Sequence, residues 1–128
     1  MADQQKYEVV QGANAQYSVT LRDLSGTVIA SADIVSLTLT LYDKSSDVIL
    51  NSRNAVDALN ANDVTVGSTD GLLTWDIQPD DNTIYDSNIV AGRSEVHVAR
   101  FTLTYDTDKV AIEEIEINVI KLATPTAP

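Results

Sequence analysis

The chain contains no cysteine. That excludes disulfides, thiolate metal centres and cysteine nucleophiles, and in a small domain it leans toward synthesis in a reducing compartment. Only one histidine, one tryptophan and one phenylalanine occur among 128 residues. A His/Cys cluster with metal-ligand spacing is therefore absent, and a sugar cleft lined by stacking rings is poorly supplied. No Gly-rich phosphate loop is present. No apolar run is long enough to cross a bilayer, and residues 1–11 are polar, without the apolar core of a signal peptide. No Asn-x-Ser/Thr sequon marks glycosylation. Positive charge is also scarce, with 8 basic residues against 19 acidic ones and a net charge of −11. The basic residues are scattered, whereas nucleic-acid binding needs them clustered to displace counterions from phosphates. Neither a nucleic-acid partner nor an anionic membrane is expected. The acidic balance serves solubility, or complements a less acidic partner surface. Together these absences point away from an enzyme, and no catalytic residue and no cofactor is expected.

What the chain has is two-residue periodicity. In Val35-Ser36-Leu37-Thr38-Leu39-Thr40-Leu41, leucines alternate with small hydroxyl residues. A strand sends successive side chains to opposite faces, so this segment buries one face and wets the other. The same reading gives strands at Lys6 to Val10, Gln16 to Leu24 and Ile34 to Tyr42. A Ser25-Gly26 turn returns Thr27 to Ala30 as a short ribbon. Val48 to Leu50 reads as a hairpin arm. Val64 and Val66 form a short strand, and Leu73, Trp75 and Ile77 alternate until Pro79 ends the ladder. Ile84 to Gly92 is irregular. Glu95 to Tyr105 is a long strand, joined by a turn at Asp106-Thr107-Asp108 to Val110 to Leu122. Between 55 and 61 the helix formers after Asn54 point to one short helix. Within the last strand the apolar residues change parity, from Val110 and Ile112 to Ile115, Ile117 and Val119. That slip points to a β-bulge near Glu113-Glu114.

Seven or eight strands at this spacing give an all-β, antiparallel, immunoglobulin-like β-sandwich, with a barrel or jelly roll as the alternatives. The expected organisation is a polar arm at 1–5, one domain at 6–122 and a Pro-containing tail at 123–128. The antibody hallmarks are missing: there is no cysteine pair, and Trp75 lies just before a turn.

Three groups offer chemistry. His97 lies on the Phe101 face by parity, either as a general base held by a carboxylate or as a histidine packed at a sheet end. The second is the expectation, because no nucleophile-elbow motif accompanies it. Asp76, Asp80, Asp81 and Asp86 crowd one loop, as calcium ligands do. The EF-hand spacing is absent, however, and a solvated acidic turn with no metal is the expectation. Tyr42, on the outward parity of its strand, and Tyr85, in the irregular loop, are candidate contacts to a partner.

The segments Gln11-Gly12, Val35 to Asp43, Val48-Ile49-Leu50-Asn51, Gly71-Leu72-Leu73-Thr74-Trp75, Glu95 to Tyr105 and Glu114 to Val119 together resemble immunoglobulin-like proteins of tailed-bacteriophage virions. The resemblance spans roughly residues 8 to 122 and is one of layout. It implies a structural subunit that decorates or cements the head, or joins rings at the neck. Its partners would be capsid, neck or tail subunits in a symmetric homo-oligomer or lattice. Such a protein is made in the host cytoplasm and resides in the virion. The resemblance carries over no active-site residue. An adhesion or carbohydrate-binding module on a phage or bacterial surface is the alternative.

Overall fold

The computed structural model describes residues 5–125. Residues 1–4 of the expected arm and 126–128 of the expected tail lie outside them. The fold is all-β and consists of two sheets. The first holds five strands in the order β1-β8-β7-β3-β4: β1 (Gln5–Val10), β8 (Lys109–Ile120), β7 (Ser94–Tyr105), β3 (Ile34–Asp43) and β4 (Val56–Asp57). The second holds three in the order β2-β6-β5: β2 (Ala15–Thr20), β6 (Leu72–Ile77) and β5 (Val64–Val66). All pairings are antiparallel except that of β1 with β8.

The leucines of β3 do what their spacing dictates. Leu37, Leu39 and Leu41 are fully buried, while Thr38 and Thr40 are only partly covered. On β7 the odd-numbered residues Ala99, Phe101 and Leu103 point inward, as do Tyr17 on β2 and Trp75 on β6. Tyr17 and Trp75 face each other across the β2–β6 register. Phe101 reaches both from the opposite sheet, stacked on Tyr17 at 6.2 Å and edge-on to Trp75 at 5.7 Å. These three rings sit in the core cluster between the two sheets and link them directly.

Two expectations are corrected. The short helix near residues 55–61 does not form. Ala55 and Asn60 take positive φ (51° and 53°), which no right-handed helix accommodates. Val56 and Asp57 instead add a two-residue edge strand opposite Leu39 and Thr38. Pairing to a sheet edge outweighs the helix propensity of a few residues. The bulge near Glu113-Glu114 is also absent, because β7 and β8 stay in one register from Ser94↔Ile120 to Tyr105↔Lys109. The parity slip has a different cause: Val110 and Ile112 face outward and are 61% and 60% exposed. The irregularity falls between β3 and β7, at Ile34/Ser36.

The turn before β6 depends on Gly71, whose φ is +62°. A Cβ there would stand 2.5 Å from Val28 Cγ1 and 2.7 Å from the Ile29 carbonyl oxygen. Gly71→Ala is expected to cost more than about 1 kcal/mol, from left-handed strain and from a backbone clash that a rotamer change cannot relieve. A thermal melt within a degree of the parent would contradict this.

Candidate functional site

At one end of the larger sheet the inward rows of β3 and β7 change from apolar to ionisable. Asp43 continues the row Leu37-Leu39-Leu41 and lies opposite His97 in the ladder. Glu95 and His97 are two residues apart on β7 and share its inward face. All three are buried: Asp43 is 1% exposed, Glu95 5% and His97 0%. His97 Nε2 lies 2.5 Å from Glu95 Oε2, and Nδ1 is buried without a hydrogen-bond partner. One ligand atom from each of the three residues lies within 4.8 Å of the other two.

Local backbone fixes both carboxylates. Asp43 Oδ2 accepts hydrogen bonds from Ser45 Oγ (3.0 Å), Ser46 N (3.1 Å) and Ser46 Oγ (2.7 Å), so the turn after β3 wraps around it. Glu95 accepts the backbone N–H of Tyr85 and of Asp86, each at 2.8 Å, and so pins the irregular connection before β7. A cleft of roughly 490 Å³ opens beside the group, with Asp43, Glu95, Lys44 and Asp86 among its lining. His97 is not in the lining and lies behind the carboxylates. No serine stands against either ring nitrogen among the described residues, so the imidazole lacks the nucleophile that a triad requires.

A second buried polar group lies around Arg53. Its Nε and Nη2 donate to the two oxygens of Asp81 at 2.6 and 3.1 Å. Nη2 also donates to Asp63 Oδ2 at 2.9 Å, and Nη1 to the Asn62 carbonyl at 3.1 Å. Asn51 Nδ2 (2.7 Å) and the Gln78 N–H (2.8 Å) complete the bonding of Asp81. Burial pulls the guanidinium's pKa down, but the bonds and charges of Asp81 and Asp63 outweigh it and hold the value above its usual one. The group ties three loops together, and its hydrogen-bonding capacity is spent on doing so.

The aspartates singled out in the sequence do not converge. Asp81 is claimed by Arg53, and Asp76 Oδ1 takes a hydrogen bond from Gln16 at 2.8 Å. Asp80 and Asp86 are exposed. Among the described residues, the one set of three carboxylate or imidazole groups with metal-ligand spacing is Asp43, Glu95 and His97. Asp43, Glu95 and Arg53 were not singled out from the sequence. The readable signal was parity, since Asp43 extends an inward leucine row and Glu95 an inward row containing His97. Tyr42 lies on the outer face, with Arg100 5.5 Å from its ring centre. Tyr85 is 49% exposed and borders a hollow of about 410 Å³ with Asn51, Asp80 and Thr83.

No family model and no curated protein matches this sequence. Among solved structures, the periplasmic chaperone SfaE is similar, with a TM-score of 0.53 and 8% sequence identity. The similarity covers 95% of this chain and 57% of the chaperone's, so the chain spans little more than half that protein. At this identity the likeness is one of fold alone.

Proposed function

We propose that the chain is an immunoglobulin-like sandwich serving as a non-enzymatic structural subunit of a tailed-phage particle, decorating or cementing the head or joining rings at the neck. The strand order supports the fold. The division of β2-β6-β5 from β3-β7-β8 corresponds to the B-E-D and C-F-G sheets of immunoglobulin domains, with β4 added as an extra edge.

The observation that carries the docking role is the outer face of the larger sheet beside the β7–β8 hairpin. There Val110 and Ile112 stand next to Thr104 and Thr102, which in turn neighbour Ser36 and Thr38. The patch on these three strands carries no charge, although the chain as a whole is at −11. β1 covers β8 only from Ile115 to Ile120. An uncharged surface of exposed valine and isoleucine beside hydroxyl residues, on the outer side of a sheet, invites docking against another chain. Burying the exposed part of Val110 and Ile112 would contribute about 1–2 kcal/mol each, and symmetry multiplies the contact around a ring.

Electron microscopy of the purified chain, alone and on particles, tests the reading. Rings, lattices or fixed-copy density are expected. Ile112→Glu is expected to abolish assembly or attachment while leaving the melting temperature within a few degrees. A monomer that never attaches would refute the role. The hollow beside Tyr85 favours the adhesion or carbohydrate-binding alternative, since an exposed ring with Asn51, Asp80 and Thr83 around it suits a sugar. Glycan-array binding lost in Tyr85→Ala would select that alternative.

A further inference from the structure

We propose that Asp43, Glu95 and His97 form a binding site for a divalent transition-metal ion of the zinc class, which ties the end of β3 to the start of β7. The argument begins with charge. Two carboxylates are buried within a few ångströms of each other, and buried charges persist where they are paired or bound to metal. Apart from the contact of His97 Nε2 with Glu95, their hydrogen bonds come from hydroxyls and backbone amides, which are neutral. Lys44, at the rim of the cleft, is instead paired to Glu116. A dication between the carboxylates supplies the missing positive charge.

An independent observation concerns the imidazole. His97 Nδ1 is buried and has no hydrogen-bond partner. Nε2 is the ring nitrogen that faces the carboxylates, 2.5 Å from Glu95 Oε2, and Nδ1 makes no bond that competes for the ring's position. The donor set then selects the ion. One imidazole with two carboxylates suits zinc and its neighbours, whereas calcium takes oxygen ligands in larger number. Ligand atoms on a tetrahedral zinc stand roughly 3.3 Å apart. The three donors, all within 4.8 Å of one another, need to move by only an ångström or so, with the His97–Glu95 contact opening as the others close. The cleft gives access, because Asp43 and Glu95 line it. It also has room for a water as the fourth ligand. The site is separate from the proposed docking face, so the two readings stand or fall independently.

The presence of a single histidine makes the test clean. Tag-free protein is stripped with chelator and titrated with zinc chloride, with calcium chloride as the comparison, while the His97 ring signals are followed by NMR. One equivalent of zinc is expected to shift those signals, and calcium to leave them in place. Calorimetry should give one site, weakened more than about tenfold in Asp43→Asn and in His97→Gln. If those variants do not fold, the ring signals of the parent protein still decide the matter. Unmoved ring signals in zinc-saturated protein would overturn the proposal, as would undiminished zinc affinity in folded His97→Gln.

Discussion

Arg53→Ala is expected to destabilise the protein by about 3–5 kcal/mol, the usual consequence of removing one partner from a buried ion pair. Asp81 would stay buried, at 1% exposure, with only Asn51 and the Gln78 amide left to serve its charge. The loops around Asn51, Asp63 and Pro79 would lose their common tie. For a domain of this size the melting temperature should fall by roughly 10–20 °C. Asp81→Ala should do comparable harm, because the guanidinium would keep Asp63, which is partly exposed, as its one charged partner, beside the Asn62 carbonyl. The double variant Arg53→Met/Asp81→Leu should lose less than either single one, since it strands no charge. Thermal and urea denaturation of the three variants measures this. An Arg53→Ala protein melting within a few degrees of the parent would show that the pair is not structural.

Trp75→Ala is expected to cost about 3–5 kcal/mol, from lost burial and the cavity left behind. The ring is fully buried, meets Phe101 edge-on, and has the Arg53 guanidinium 5.9 Å from its centre. The substitution therefore weakens the inter-sheet contact and the ion-pair cluster together. Trp75→Phe should cost distinctly less. It keeps an aromatic edge toward Phe101, and Nε1 has no hydrogen-bond partner to lose. Denaturant titration followed by circular dichroism gives both values, and the single tryptophan reports the parent's transition by fluorescence. Equal costs for alanine and phenylalanine would mean that the ring contacts contribute little.

Which parts of this structure could be read in the sequence follows from which forces are local. β3, β6 and β7 were legible because burial of one sheet face imposes a period of two on adjacent residues. The 55–61 segment was not. Its composition favours a helix, yet Leu39 and Thr38, distant in sequence, provide an edge to pair with, and the residues around it absorb left-handed turns. The parity slip in β8 mimics a bulge in the sequence because valine and isoleucine face outward there, against the usual alternation. At the candidate site, His97 was visible and its inward direction followed from parity. Its partnership with Asp43 is a product of register between strands, which no local pattern encodes. The four loop aspartates show the converse, since closeness along the chain did not bring their carboxylates together.

The parallel seam between β1 and β8 has a kinetic side. The first described strand completes its ladder against the eighth, so its pairing must wait until nearly all of the domain has left the ribosome. Closing so distant a contact gives up much chain entropy before any return, and places this domain among the slower folders, in the range of about milliseconds to seconds. Until that closure, the later half of β8 would offer a bare edge to any neighbouring nascent chain, and crowding during synthesis is the stage at which this protein is most open to mispairing.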